Sequence, residues 1–464
     1  MHTLVIPLLP VFPAVLHTSP SSVSWLATST MLTGAVVAPV LGRLGDMYGK
    51  RRVLLISLGV MSVGSVLGAV APSFSTLLVA RSLQGAAFGV IPLAIAILRD
   101  ELPAGRAASA IAMVSSTLGA GSAIGLPLSG GVTHLLGWEG VFWVAGGLSL
   151  AATALVAWVV PESPVRSGGR FDAVGAAGLA ASLVCLLLPI AQGGSWGWGS
   201  AATISLLAAA VVLVGLWGGY ELRHPRPLVN LRVSRRPIVL MTNLAAIFVG
   251  IGMFANFILV GQRLQAPEAT GYGFGQSTLM AGLFMAPAGL GMVIFSPVSA
   301  RLSAARGAHV TLLVGGLLLV LANLLQALLL PAVSWVVLAV SIMSVGTTLC
   351  FAAMPPLIMD AVPSTETAAA NSVNALMRTI GTSVASAVSA ALLVTFTIQV
   401  GGKGFPGPTA YRLSYGAAAM SALLVVVLGV MMTIHLRRRR PRLGCALTVY
   451  SAPSGSPDAT MGGQ

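Results

Sequence analysis

Apolar runs of about 20 residues recur along the whole chain, separated by short turns rich in Gly, Pro and charge. Crossing ~30 Å of hydrocarbon takes a helix of ~20 apolar residues, so this pattern predicts serial membrane spans rather than one amphipathic core. Helices are expected near 1–16, 24–42, 53–71, 75–97, 107–135, 140–160, 172–192, 201–220, 237–261, 276–299, 309–330, 333–358, 366–396 and 412–436, about fourteen in all. An even number places both termini on one side. The first segment is short: about 16 residues rise only ~24 Å, and Pro7, Pro10 and Pro13 would bend it. The expectation is that the chain starts inside its first helix, with no cleavable leader, since a basic stretch and an A-x-A site are missing there.

The two ends of the chain echo each other. Pro39-Val40-Leu41-Gly42-Arg43-Leu44 aligns with Pro297-Val298-Ser299-Ala300-Arg301-Leu302, and Gly49 pairs with Gly307 at the same offset of 258. Arg99-Asp100-Glu101-Leu102-Pro103 aligns with Met359-Asp360-Ala361-Val362-Pro363 at an offset of 260. The expected fold is an all-α membrane protein: two pseudo-symmetric six-helix bundles with two extra helices between them. Its parts are an N-terminal bundle at 1–160, two linker helices with their loops at 161–236, a C-terminal bundle at 237–436 and a disordered cytoplasmic tail at 437–464. Transporters built from such repeats bind substrate between them.

Composition agrees. Of 464 residues, 56% are hydrophobic and only 8% charged, against about 25% charged in a soluble protein. The net charge of +14 would suggest nucleic acid in a soluble chain. Here the basic residues sit in the turns, and placing the C-terminus in the cytoplasm puts 20 of the 25 Lys and Arg on that side and 3 on the other. That asymmetry orients the chain by the positive-inside rule, and no nucleic-acid partner is expected. Trp196 and Trp198 suit an outer interfacial belt, and Arg437–Arg440 suits a stop-transfer signal and an anchor on anionic lipids. Three cysteines make no disulfide framework.

The chemistry concentrates in a few motifs. Gly42-Arg43-Leu44-Gly45-Asp46-Met47-Tyr48-Gly49-Lys50-Arg51-Arg52 joins two spans. Its glycines permit a tight turn, and Asp46, near a helix end, can bind arginines or backbone amides. Leu77-Leu78-Val79-Ala80-Arg81-Ser82-Leu83-Gln84-Gly85 places an arginine in an apolar helix, which is costly unless the charge meets a cavity or a partner. The segment with Gly121, Gly125, Pro127, Gly130 and Gly131 carries a G-x-x-x-G that lets helices touch. Arg378, with Asn371 and Asn374, is the other charge inside a span.

The Gly42–Arg52 loop resembles, almost residue for residue, the loop after the second helix of the major facilitator superfamily. The Arg81 segment resembles that superfamily's fourth-helix motif, and the glycine-rich helix its antiporter motif, though Leu126 interrupts the Gly-Pro pair. Phe171-Asp172-Ala173-Val174-Gly175, Trp196-Gly197-Trp198 and Pro227-Leu228-Val229-Asn230-Leu231 resemble the fourteen-helix drug:proton antiporter branch, with Asn230 where Asp is usual. The resemblance implies a gate latch at Gly42, Arg43, Asp46, Gly49, Lys50, Arg51 and Arg52. It implies proton or substrate handling by Arg81 with Gln84 and Gly85, and efflux rather than uptake through Gly121, Gly125, Pro127, Gly130 and Gly131. Arg378, Asn371 and Asn374 are further candidates for the proton or the substrate.

The expected function is export of lipophilic small molecules, such as antibiotics, from a monomer in the inner membrane, coupled to protons, with no metal or cofactor. An importer of the same superfamily is the alternative, and a non-transporting membrane sensor is the alternative from another class. An enzyme is not expected, because the six histidines fall at span ends or in loops with no H-E-x-x-H or D-x-x-D cluster. All eleven acids map to loops, span ends or the tail. Arg81 and Arg378 are then the only formal charges of the cavity, which favours neutral or anionic substrates over cations.

Overall fold

The computed structural model describes Val5, Leu8 and residues 12–168 and 170–439. Most of the first expected helix, with Met1, and the tail beyond Arg439 lie outside the described residues. What remains of the first segment is one turn, α1 (Phe12–Val15), after which His17 takes φ 47°. Val5, Leu8 and Phe12 are nonetheless buried against Leu26, Leu77 and Phe142.

The long helices follow in order: α2 (Pro20–Tyr48), α3 (Lys50–Ala69), α4 (Phe74–Gln84), α5 (Val90–Glu101), α6 (Ala104–Val159), α7 (Ala173–Trp196) and α8 (Ala201–Arg223). A short α9 (Leu231–Ser234) leads to α10 (Pro237–Gln265), α11 (Thr278–Arg306), α12 (Ala308–Ala327), α13 (Val333–Met359), α14 (Thr367–Thr395) and α15 (Pro408–Arg439). Among the described residues, 12 helices are long and apolar enough to cross a membrane. The α6 run is counted once, yet Gly137 breaks it with φ 73° and ψ −177°, a backbone only glycine adopts easily. The two helices expected at 107–135 and 140–160 are therefore both present.

Two features go beyond the expected pattern. The span expected at 75–97 is present over Phe74–Glu101, with a 3₁₀ turn at Gly85–Gly89 between α4 and α5. Added Cβ atoms show why, since at Gly85 one would lie 2.9 Å from Gly34 N and at Gly89 one would lie 2.5 Å from a Leu41 methyl. The wall of α2 is too close for an ordinary side chain there. Second, the loop after α14 is a hairpin, β1 (Thr397–Val400) with β2 (Lys403–Pro406), turned by Gly401 and Gly402 at φ 59° and 76°.

The helices form two bundles, α2–α6 and α10–α15. The repeat read from the sequence is visible in the backbone. Gly49, between α2 and α3, and Gly307, between α11 and α12, adopt the same extended left-handed conformation, φ 117° with ψ 126° and φ 90° with ψ 150°. The bundles meet along α2 with α14 and along α6 with α11, while α7 and α8 pair with each other and α7 packs on α2 and α14. Apolar layers of Leu41, Leu54 and Leu93 in one bundle and Val249, Leu319 and Val425 in the other make separate cores.

Candidate functional site

Asp46 sits in the last turn of α2 and is 1% exposed. Its carboxylate accepts hydrogen bonds from Ala368 N at 3.2 Å and Ala369 N at 2.8 Å, in the first turn of α14. The first amides of a helix lack intrahelical partners and carry the positive end of its dipole, so a carboxylate fits them. Of the two partners expected for Asp46, the structure supplies the helix N-terminus, and across the two bundles.

The rest of the loop holds Asp46 in place. The fully buried Lys50 ammonium is bonded to Asp100 and lies 3.8 Å from Asp46. Ser163 Oγ donates to the same Asp100 carboxylate at 2.6 Å. Glu162 caps α3 by accepting from the amides of Arg51 and Arg52 at 3.1 and 3.2 Å. Gly42 is required by proximity, because a Cβ there would stand 2.2 Å from Ser372 Oγ and 2.8 Å from Ala368 O. Arg43 lines a cavity beside this joint together with Arg226, Asn230 and Glu366.

A second tether crosses nearby. Asn230, the N-cap of α9, accepts from Val233 N at 3.3 Å and donates through Nδ2 to both oxygens of Glu366 at 3.2 Å. An aspartate at position 230 could cap α9 but would repel Glu366, so the departure from the usual residue is what makes this bond. Glu366 directly precedes α14, so both tethers grip the same helix end.

Arg81 is 1% exposed and lies inside the first bundle, away from the boundary between the halves. Its Nε donates to Leu26 O at 3.1 Å and its Nη1 to Gln84 Oε1 at 2.5 Å, while Gln84 Nε2 donates to Ser65 Oγ at 3.0 Å. Thr30 Oγ1 closes the group on Arg81 O at 2.9 Å. The expectation that Arg81 charges the cavity is thus corrected: its guanidinium is turned into the first bundle, onto backbone and amide oxygens of a group that ties α2, α3 and α4 together. Replacing Arg81 by Met would strand Gln84 Oε1, at about 1–3 kcal/mol for an unpartnered buried group, while Leu26 O keeps Thr30 Oγ1 at 3.3 Å. A melting temperature lowered by several degrees in detergent is expected, and an unshifted one would rule out the staple.

A small cavity of about 20 Å³ lies between α5 and α6 on one side and α13 and α14 on the other, lined by Ile91, Ile95, Ser115, Phe351, Asn371, Asn374 and Arg378. The Arg378 guanidinium lies 4.8 Å from the Phe351 ring centroid, and among the described residues no acid pairs with it. Asn374 Nδ2 donates to Asn243 Oδ1 at 3.1 Å and Asn371 Nδ2 to Thr367 O at 2.9 Å. Ser115 Oγ is buried without a partner among the described residues. Arg378, Asn371 and Asn374 are therefore together, whereas Arg81, Gln84 and Gly85 form a separate group.

Among the described residues, three glycines of the α6 stretch face open space. Added Cβ atoms at Gly121, Gly130 and Gly131 meet nothing within 4 Å, while Gly125 is buried; nothing is described of the Pro127 side chain. Close glycine contacts occur instead between α10 and α14, where a Cβ on Gly381 would lie 2.1 Å from Ile247 O and one on Gly250 2.5 Å from Arg378 O. Arg263, expected in an outer loop, is 1% exposed at the end of α10 and donates to Leu330 O at 2.7 Å. The sequence reading missed Asp100, Glu162 and Ser163 as partners of the loop and Glu366 as the partner of Asn230. Only the Asp100 repeat hinted at them.

The family described as Major Facilitator Superfamily matches residues 1–386. The tetracenomycin C resistance and export protein of Streptomyces glaucescens is 31% identical over 65% of this chain and 56% of its own length. The multidrug resistance protein B homolog of Mycobacterium tuberculosis is 28% identical over 64% of this chain and 54% of its own. The probable actinorhodin transporter of Streptomyces coelicolor is 29% identical over 61% and 50%. The chain spans about half the length of these curated relatives. A crystal structure of the human organic anion transporter MFSD10 shares the fold, with a TM-score of 0.62 at 16% identity over 91% of this chain and 95% of that one.

Proposed function

Since this chain belongs to the Major Facilitator Superfamily, a family of multi-pass membrane transporters, we propose that it exports lipophilic small molecules from the cytoplasm by alternating access, in antiport with protons. The substrate enters the cavity between the bundles, and the Asp46 joint with α14 latches the cytoplasmic end in the outward-facing state. The names of the relatives that export or resist antibiotics support the substrate class. The positive-inside asymmetry supports cytoplasmic termini in the inner membrane, with Arg437 and Arg438 at anionic headgroups and the transporter working as a monomer.

The observation that carries the reading is Arg378 on the cavity wall, stacked on an aromatic ring and, among the described residues, free of an acidic partner. A cation–π shelf beside Asn371 and Asn374 suits a neutral or anionic lipophilic substrate. It disfavours a permanent cation, whose charge would meet Arg378 in a low-dielectric cavity. Inside-out vesicles with a panel of neutral, acidic and quaternary lipophilic compounds, with and without a pH gradient, test this. Gradient-driven uptake of neutral or acidic compounds is expected, with Arg378→Met raising the KM for acidic ones by about 10-fold, the loss of ~1.4 kcal/mol. Uptake of ethidium alone, or an unchanged KM in the variant, would overturn the assignment.

A further inference from the structure

The helices between the two bundles carry a polar cluster that the transport mechanism does not use. Asp172 caps α7 through Oδ1, which accepts from Gly175 N at 2.8 Å and from Tyr220 OH at 3.0 Å. Its Oδ2 accepts no hydrogen bond and meets His224 Nδ1 only at 3.6 Å. Glu221, on the last turn of α8, is 2% exposed, and neither of its carboxylate oxygens accepts a hydrogen bond. The two carboxylates converge over Gly175, where one added Cβ would be 2.4 Å from Asp172 Oδ2 and 2.7 Å from Glu221 Oε1. Those oxygens are therefore no more than about 5 Å apart.

Two buried like charges this close cannot both be kept without compensation. Tyr220 and His224 face the pair from α8, and His224 is 30% exposed. Across an adjoining cleft stand Arg232 and Arg236, but their guanidinium groups are turned to Leu222 O and Ala361 O. Arg223 and Arg226 are exposed. From α2 and the start of α14, Arg43 and Glu366 line the cavity on the other side of the segment 225–230. That segment lies against the pair: the amides of Leu228 and Val229 adjoin the Glu221 carboxylate without reaching hydrogen-bond geometry, and both side chains are buried.

We propose that Asp172 and Glu221 hold one proton between them, and that its loss clamps the Leu228–Asn230 segment to α8. A proton taken from the aqueous phase lets Glu221 O–H donate to Asp172 Oδ2, satisfying atoms that otherwise have no partner. When it leaves, the carboxylates repel, and the charged Glu221 turns from Asp172 toward the adjoining amides of Leu228 and Val229, which favour its charged form. Asn230 binds Glu366, beside the α14 amides that Asp46 holds, so occupancy of the pair reaches the gate. The linker helices then act as a proton-binding element outside the substrate path.

Hydrogen–deuterium exchange of the full chain in detergent tests this without substrate, so its outcome is independent of the transport assignment. After correction for intrinsic exchange, the peptide spanning 225–233 is expected to be several-fold better protected at pH 8 than at pH 6. Glu221→Gln, a mimic of the protonated form, is expected to keep the less protected level at both. Asp172→Asn, which retains the cap oxygen of α7, is expected to lose the pH dependence too and serves if the first variant does not fold. Exchange that is independent of pH in the native chain overturns the proposal. So does pH dependence that survives both substitutions, or that disappears only in His224→Gln.

Discussion

Asp46→Asn is expected to cut transport by 10-fold or more while leaving membrane insertion and abundance near normal. The carboxylate is buried and holds two amides at the start of α14. Hydrogen bonds to a charged group contribute about 1.5–3 kcal/mol each. An Asn side chain of the same shape keeps one oxygen acceptor but turns a donor toward the second amide, and the charge that matches the helix dipole is gone. Losing even one such bond shifts a gating equilibrium by ~10-fold. Neither bundle depends on this contact for its own core, so folding should survive. Initial rates in vesicles, normalised to the amount of protein, check it; rates equal to those of the native chain would remove Asp46 from the gate.

Gly381→Val has a different target and a larger effect on abundance. Its Cβ would stand 2.1 Å from the Ile247 carbonyl oxygen, within the α10–α14 crossing of one bundle. A flexible side chain could yield, but a helix backbone cannot. Forced overpacking of a core costs ~1–3 kcal/mol where neighbours can move, and here they cannot without separating two helices. Folded protein in the membrane is expected to drop to less than about a tenth. Gly121→Ala is the control, since its Cβ meets open space and alanine favours the helix by up to ~1 kcal/mol. Size-exclusion profiles of fluorescent fusions would read both; a monodisperse Gly381→Val peak at native height would refute the packing argument.

Glycine shows where sequence reading stopped. The G-x-x-x-G at Gly121 and Gly125 carries a motif for close packing, yet the tight contacts fall at Gly42, Gly250 and Gly381. Spacing along one helix says that a surface is smooth. It does not say which helix lies against it. Arg81 and Arg378 illustrate the same limit: both are single arginines in apolar spans, and only the positions of Leu26 O and Gln84 set one in a bundle interior while the other faces the cavity.

The sequence by itself determined the described spans, the two halves and the Gly42–Arg52 turn, because hydrophobic length, turn composition and an echoed Gly49 and Gly307 are local properties that lipid and backbone sterics enforce residue by residue. The 3₁₀ break at Gly85–Gly89 and the hairpin at Thr397–Pro406 were decided by neighbours in space. So were the partners of the charges: Asp46 found the amides of α14, Asn230 found Glu366, and Asp172 found the Tyr220 hydroxyl across 322, 136 and 48 residues of chain. In a low-dielectric interior a buried charge must be satisfied by whatever group the packing brings close, and that closeness is a property of the folded bundles rather than of any segment within them.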